Sequence, residues 1–201
     1  MKGSRNMTKC LILGIDQPVA QQIAEQLTEM TVVGFAEDPV KGVPLDQQVN
    51  GDARKAKTYQ NAVQDVDVIY SDFIGMDVDW KLEAVFAAIR EAGTQCRTVM
   101  RSVAGIDNEV AEPLHYEGVS DTSEFLKQQR YAIKIVDEAE LPYTILRPVA
   151  VVPETSGSVQ LINEGEPVPA QPVSETDFVR VVVDELRHST HLNQSIAVIS
   201  D

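Results

Sequence analysis

One segment near the start of the chain, residues 11–20, constrains the fold more than any other. An apolar run leads into Gly14 and then into apolar residues at helical spacing, which indicates a buried strand, a tight turn and a helix. In parallel α/β domains such a unit presents backbone N–H groups to the diphosphate of a dinucleotide, with further glycines at a fixed spacing. Here those later positions hold Gln17 and Ala20, so the pattern is only partly present.

Strand and helix patterns alternate along the rest of the chain. Apolar or β-branched runs predict strands at residues 9–13, 31–36, 46–51, 66–70, 95–101, 143–146 and 195–199, the last of them at the edge of the sheet. Helical spacing predicts helices at residues 17–29, 53–64, 80–91, 121–138 and 174–188, with Gly93, Asp121 or Thr122, and Ser174 as caps. Residues 153–172, rich in Pro, Gly and Ser, are expected to form a surface loop. The alternation predicts an α/β fold with one doubly wound parallel sheet (Rossmann-like) in a single domain over residues 9–201, after a flexible leader at residues 1–8.

Composition excludes several classes of partner. The formal net charge of −14 repels nucleic-acid phosphates, so we expect no nucleic-acid partner. The sequence holds no apolar run long enough to span a membrane, and residues 1–8 do not form a secretory signal. Cys10 and Cys96 fall in predicted strands and are expected to be buried free thiols of a cytoplasmic protein. No Cys/His cluster has the spacing of metal ligands, so no metal site is predicted.

Three further segments occur in an order and at intervals that carry a family resemblance. They are NGDARKAKTYQNAVQDVDVIYSDFIG from residue 50, RTVMRSVAGIDNEV from residue 97 and ELPYTILRPVAVV from residue 140. Together they resemble the atypical short-chain dehydrogenase/reductase group known as NmrA-like or NAD(P)H-binding proteins. The resemblance extends from Lys9 to about Ser200 and implies a Rossmann-like fold with NAD or NADP as the cofactor.

The resemblance also implies which residues surround the cofactor. They are Gly14, Asp16, Gln17, Pro18, Val19, Glu37, Asp52, Ser71, Phe73, Ser102, Pro148 and Val149. Glu37 stands where many members carry an arginine suited to a 2′-phosphate. A carboxylate there accepts hydrogen bonds from a ribose 2′-OH and repels a phosphate, which favours NAD over NADP. The alternative is that Glu37 is a solvated loop residue.

The catalytic pattern of the family is not retained. Active short-chain dehydrogenases use a serine, a tyrosine that donates a proton, and a lysine that lowers the tyrosine pKa. The corresponding positions here are Val103, Phe125 and Gln129, whose side chains cannot transfer that proton.

Substitute catalytic residues are weakly indicated. Tyr131 and Lys134 share a helix face three residues apart, and Ser102 follows the fifth strand; the alternative is an ordinary amphipathic helix with a surface lysine. Arg101 lies in an apolar strand, where it either pairs with an acid at the end of the sheet or reaches the cofactor cleft. Arg147 is expected to have a packing role.

Three functional hypotheses remain open at this point. The first is a dinucleotide-binding protein, a possible redox sensor, that has a degraded catalytic triad. The second is an active NAD(P)H-dependent reductase with a small-molecule acceptor, a quinone or a carbonyl compound. The third is an interaction protein that no longer binds a nucleotide, which the residues Gln17, Pro18 and Ala20 favour. The substrate and the oligomeric state are not predicted.

Overall fold

Ten strands and five helices form the structure, a computed structural model that describes residues 7–116, 118–153 and 157–200. The strands are β1 (Lys9–Leu13), β2 (Thr31–Ala36), β3 (Gln47–Asn50), β4 (Val68–Ser71), β5 (Arg97–Arg101), β6 (Tyr143–Pro148), β7 (Val151–Val152), β8 (Val159–Asn163), β9 (Val173–Ser174) and β10 (Gln194–Ser200). The helices are α1 (Pro18–Gln26), α2 (Ala56–Tyr59), α3 (Val78–Ala92), α4 (Thr122–Glu138) and α5 (Glu175–His188). Residues 1–6 of the predicted leader lie outside the described residues.

Eight of the strands form one sheet, in the order β3-β2-β1-β4-β5-β6-β10-β8. All neighbouring strands in it are parallel except β8, which runs antiparallel to β10. The strand order reverses between β1 and β4, and such a reversal opens a crevice at the carboxyl ends of the strands. The predicted doubly wound, Rossmann-like sheet is therefore confirmed.

Helices cover both faces of this sheet because side chains alternate along each buried strand. In β1, Cys10 and Ile12 pack towards α1 and α5, whereas Leu11 and Leu13 pack towards α2, α3 and α4. Full burial of side chains of this size contributes roughly 1.5–3 kcal/mol each to folding. The apolar runs that predicted strands thus form the two-sided core expected of a parallel sheet.

Two predictions about the end of the chain are wrong. The last strand, β10, is not an edge strand, because it lies between β6 and β8. The segment predicted as an irregular surface loop supplies β8, whose Ile162 packs with Ala197 and Ile199 of β10. Pairing with β8 satisfies backbone groups of β10 that would otherwise form an open edge.

The predicted helix at residues 53–64 is also much shorter than expected, since α2 covers only Ala56–Tyr59. Residues before it are held in a turn, where the Thr58 hydroxyl donates to the Asp52 carbonyl at 2.9 Å and the Tyr59 hydroxyl donates to the Ala53 carbonyl at 2.8 Å. After it, the Val63 carbonyl accepts from the Thr94 hydroxyl at 2.9 Å. These contacts occupy carbonyl groups on both sides of α2.

The helix caps agree with the sequence. Gly93 ends α3 in the left-handed conformation, with φ of 67°. The Asp121 side chain accepts from the backbone N–H of Glu124 at 3.0 Å, and the Ser174 hydroxyl accepts from the backbone N–H of Asp177 at 3.1 Å. No helix among the described residues is long and apolar enough to cross a bilayer.

Candidate functional site

A cavity of about 710 Å³ opens at the carboxyl ends of β1, β2, β4 and β5, at the point where the strand order reverses. Its walls are Gly14, Asp16, Gln17, Phe35, Ala36, Glu37, Asp38, Pro39, Val40, Ala53, Asp72, Phe73, Ile74, Lys81 and Arg101. A second depression, of about 770 Å³, lies at the other end of the sheet near Lys9 and Gly93. We assign the site to the first one, hereafter the Gly14 cleft, because ligands of such sheets bind beyond the carboxyl ends of the strands.

The turn at Gly14 forms one wall of the cleft. Gly14 has a φ of 80°, a conformation that residues with a Cβ rarely adopt. The N–H groups of Gly14 and Ile15 both donate to the Phe35 carbonyl, at 3.0 and 2.9 Å, and this anchors the turn on β2. A Cβ on Gly14 would meet Asp72 and Phe73 at 3.5 Å, an ordinary van der Waals contact, so the positive φ and not a lack of space favours glycine in this turn.

Gln17 and Pro18 do not block this wall. The Gln17 amide nitrogen donates to the Asp16 carboxylate at 2.9 Å, and the three side chains are exposed. Gln17 is the N-cap residue of α1 but makes no side-chain hydrogen bond to its first turn. The N–H groups of Val19 and Ala20 thus have no capping side chain, although the Val19 side chain itself is buried in the core. The first helical turn is available to an anion.

The opposite end of the cleft contains Glu37, which follows β2. One carboxylate oxygen of Glu37 accepts from the backbone N–H of Ala53 at 3.2 Å, and the side chain is exposed. Asp52 lies next to Ala53 but outside the cleft wall. Its carboxylate accepts from the Arg54 backbone N–H at 3.0 Å and pairs with Lys55 at 3.0 Å, and these contacts lower its pKa.

Ser71 and Phe73 follow β4. The Phe73 ring lines the cleft and meets the Phe35 ring edge-on, with centroids 5.9 Å apart. Ser71 is fully buried, and its hydroxyl accepts from the Phe73 backbone N–H at 3.4 Å, so it shapes the loop from beneath.

An ion pair between Arg101 and the buried Asp72 closes one end of the cleft, and the sequence did not reveal which acid would pair with Arg101. Arg101 lies 3.2 Å from the carboxylate of Asp72, whose side chain is fully buried. The Tyr70 hydroxyl donates to the same carboxylate at 2.6 Å, and the Arg101 guanidinium lies 5.6 Å from the Phe178 ring centroid. Burial raises the Asp72 pKa, while Arg101 and Tyr70 oppose that rise. The sequence left two alternatives for Arg101, an ion pair with an acid or a place in the cofactor cleft. The structure shows both, because Arg101 pairs with Asp72 and lines the cleft. The only sequence signal for Asp72 is an acid placed directly after an apolar strand.

Val103 and Phe125, two of the three positions that the resemblance aligns with catalytic residues, lie together in an apolar cluster. Val103, Ile106 and Phe125 are buried against one another, and the Phe125 ring lies 4.7 Å from that of Tyr116. Gln129 is fully buried, and its amide donates to the Gly75 carbonyl at 3.1 Å.

The loop between β5 and α4 packs over this cluster. The Tyr116 hydroxyl donates to the Ala104 carbonyl at 2.6 Å. A Cβ on Gly105 would lie 2.3 Å from Leu114, which shows how closely the loop approaches. The chain's own side chains thus occupy this region.

The remaining candidate residues lie outside the cleft walls. Ser102 is fully buried, with no hydrogen-bond partner for its hydroxyl among the described residues. Pro148 ends β6, where its carbonyl accepts from the Ala104 N–H at 2.9 Å, and Val149 packs beside it. Tyr131 is 46% exposed, and the Lys134 amine pairs with Glu138 at 3.5 Å on the solvent face of α4.

Arg147 is buried, as its expected packing role requires. Its guanidinium pairs with the Glu109 carboxylate, which also accepts from the backbone N–H groups of Gly105 and Asp107, each at 2.9 Å. The pair fixes the start of the loop that covers the apolar cluster.

Comparisons with solved structures agree with this fold. A Rossmann-fold NAD(P)-binding family protein from Shigella flexneri is 23% identical, with a TM-score of 0.81 over 97% of this chain and 94% of that chain. A short-chain dehydrogenase/reductase (wide type) from Veillonella parvula DSM 2008, in complex with NADP, is 20% identical, with a TM-score of 0.81 over 96% of this chain and 95% of that one. ChuY, an anaerobillin reductase from Escherichia coli O157:H7, is 18% identical, with a TM-score of 0.78 over 96% of this chain and 97% of that chain. At these identities the likeness concerns the fold alone.

Sequence comparison adds the family. No curated protein matches the sequence. Residues 17–189, however, match the family described as NAD(P)H-binding. The match spans most of the chain and confirms the resemblance carried by the three sequence segments. With its Rossmann-like sheet and its cleft at the strand-order reversal, this chain belongs to the NAD(P)H-binding family.

Proposed function

We propose that this protein binds a dinucleotide in the Gly14 cleft, prefers NAD(H) to NADP(H), and catalyses little or no hydride transfer. The observation that carries the proposal is the contrast between two adjacent regions. The Gly14 cleft is open and polar, whereas the positions of the family's catalytic residues are buried and largely apolar.

The binding half of the proposal rests on the residues of the cleft. The Gly14 turn brings the backbone to the wall of the cleft, and the first turn of α1 offers N–H groups that no capping side chain occupies, so together they fit a diphosphate. Glu37 uses one carboxylate oxygen for Ala53 and keeps the other for a ribose 2′-OH. The same carboxylate, with Asp38 beside it, repels the 2′-phosphate of NADP(H).

The catalytic half rests on the lack of a proton donor at the expected place. A bound nicotinamide supplies a hydride, and a carbonyl acceptor then also needs a proton. Val103 and Phe125 offer none, and the Gln129 amide is bonded to Gly75. Tyr116 is the nearest phenol, but its hydroxyl is bonded to Ala104, and burial with the nearby Glu109 charge raises its pKa.

A second candidate is a reductase for a large conjugated acceptor such as a quinone or a flavin. Such acceptors take their protons from solvent, so positioning alone can carry much of the reaction. The likeness to ChuY, an anaerobillin reductase, supports keeping a reductase as the second candidate.

Calorimetric titration with NAD+, NADH, NADP+ and NADPH tests the proposal. We expect NADH to bind with a micromolar Kd, equivalent to about 8 kcal/mol, and NADPH to bind about tenfold more weakly. If none of the four dinucleotides binds, the proposal is wrong, and the hypothesis of an interaction protein that no longer binds a nucleotide is supported instead. If purified protein oxidises NADH with a quinone or flavin, and the rate depends on the cleft, the reductase is correct instead.

A matched pair of glycine variants links binding to the cleft. Gly14→Ala and Gly165→Ala place a Cβ on residues with similar φ values, 80° and 85°, so each is expected to lose about 1 kcal/mol of stability. A Cβ at Gly165 meets nothing within 4 Å. We expect only Gly14→Ala to weaken NADH binding, by about tenfold or more. Equal affinities in the two variants would place the ligand elsewhere.

A further inference from the structure

The Gly14 cleft ends at Arg101, and we infer from this end wall that it recognises the adenosine 5′-diphosphate part of its ligand and leaves a nicotinamide riboside outside. The inference rests on the proposed function, because it concerns the same cleft. It goes further by naming the part of the ligand that is recognised, and with it a wider class of ligands. ADP-ribose and ADP belong to that class together with NAD(H).

The first argument is the extent of the cavity. The walls come from the turn after β1, the loop after β2, Ala53, the loop after β4 with Lys81, and the last residue of β5. These elements surround the adenosine and diphosphate positions of a Rossmann-type site. Ser102, Pro148 and Val149, which the family resemblance also places around the cofactor, are not among the wall residues.

The second argument is that Arg101 is held in place. Its Nη1 atom lies 3.2 and 3.4 Å from the two carboxylate oxygens of Asp72, and Phe178 packs beside the guanidinium. Asp72 is in turn bonded to Tyr70. Moving Arg101 away would leave the buried Asp72 carboxylate without its counter-charge, which is strongly unfavourable. Arg101 is therefore a fixed end wall, unlike a mobile surface arginine.

The third argument is that buried side chains fill the space beyond Arg101. The Val103, Ile106 and Phe125 cluster is buried, and Tyr116 from the covering loop packs against it. A nicotinamide that continued past Arg101 towards the catalytic positions would meet these side chains. The ring of a bound dinucleotide would instead remain at the open mouth of the cleft.

The charge of Arg101 suggests what it recognises. Both contacts with Asp72 use Nη1, so the guanidinium keeps further N–H donors for a ligand phosphate. The cleft otherwise contains the acids Asp16, Glu37 and Asp38, which disfavour anions, and a second cation, Lys81, which is paired with Asp77 at 3.2 Å. Arg101 therefore offsets this field at the end where the second phosphate of an adenosine diphosphate would lie.

Titration of the unmodified protein with AMP, ADP-ribose and NADH tests the inference. ADP-ribose and NADH carry the same diphosphate charge and differ by the dihydronicotinamide ring. We expect their Kd values to agree within about threefold, and AMP to bind at least about tenfold more weakly than ADP-ribose. A larger advantage for NADH, or equal binding of AMP, overturns the inference and leaves the proposed function intact. Failure of all three ligands to bind refutes the proposed function itself.

A double variant tests the role of Arg101. Asp72→Ala with Arg101→Ser removes both charges, so no unpaired buried charge remains. We expect ADP-ribose to bind at least about fivefold more weakly and AMP to change by less than about twofold. Glu83→Ala with Arg90→Ser is the control, because it also removes one acid and one base, from an exposed ion pair outside the cleft walls. Circular dichroism confirms that each variant folds. Equal losses for the two ligands, or no loss, would show that Arg101 does not recognise the second phosphate.

Discussion

Replacing Glu109 by alanine leaves the Arg147 guanidinium buried without its carboxylate partner. The Arg147 side chain is only 1% exposed and that of Glu109 only 6%, so water cannot take over the lost contact without a rearrangement. Arginine does not release its proton in a protein. The variant must therefore either bury an unpaired charge or open the structure around it.

The expected loss follows from that burial. Removing one partner of a buried ion pair costs about 3–5 kcal/mol. The backbone N–H groups of Gly105 and Asp107 also lose their acceptor. We therefore expect the free energy of unfolding to fall by an amount near the upper end of that range, about 5 kcal/mol. For a chain of 201 residues, each kcal/mol lowers Tm by about 2–4 °C, which gives a decrease of about 10–20 °C.

Urea unfolding followed by circular dichroism measures this loss directly. Glu83→Ala is the matched control, because its ion pair with Arg90 at 2.8 Å is more than half exposed on both sides, and it should cost less than about 1 kcal/mol. If Glu109→Ala costs no more than Glu83→Ala, the buried pair does not anchor the covering loop, and our account of that loop is wrong.

Three further outcomes are expected. Glu37→Arg should lower the ratio of the NADPH to the NADH Kd by at least about tenfold in calorimetric titrations, and Glu83→Arg should leave that ratio unchanged. Asp121→Ala removes the N-cap hydrogen bond of α4 and should lower the free energy of unfolding in urea by about 1 kcal/mol. No change would show that this hydrogen bond does not stabilise the protein. Burial raises the pKa of Cys10 to about 12 and that of Cys96 to about 11, so both thiols stay protonated at pH 8. Iodoacetamide should therefore label them slowly in the native protein and quickly in guanidinium, as mass spectrometry would show; rapid native labelling would contradict the burial.

The Gly14 cleft combines features that differ in how far local sequence reveals them. Gly14 was predictable because a positive φ between a strand and a helix calls for glycine in that one turn. Glu37 was predictable as an acid at the end of the second strand. Asp72 was not, because its role depends on Arg101, 29 residues later in the chain.

The sequence by itself determined the alternation of strands and helices and the caps at Gly93, Asp121 and Ser174. Each of these depends on contacts between residues a few positions apart, so a local pattern is sufficient.

Only the tertiary structure decided which distant residues meet. It paired β8 with β10, placed Arg101 on Asp72, and buried Arg147 against Glu109. The physical reason is that the order of strands in the sheet, and not their order in the chain, sets which loops converge at one end. Residues of the same type therefore have different roles: Arg101 forms the end wall of the cleft, Arg147 anchors a loop, and Arg90 lies on the solvated surface.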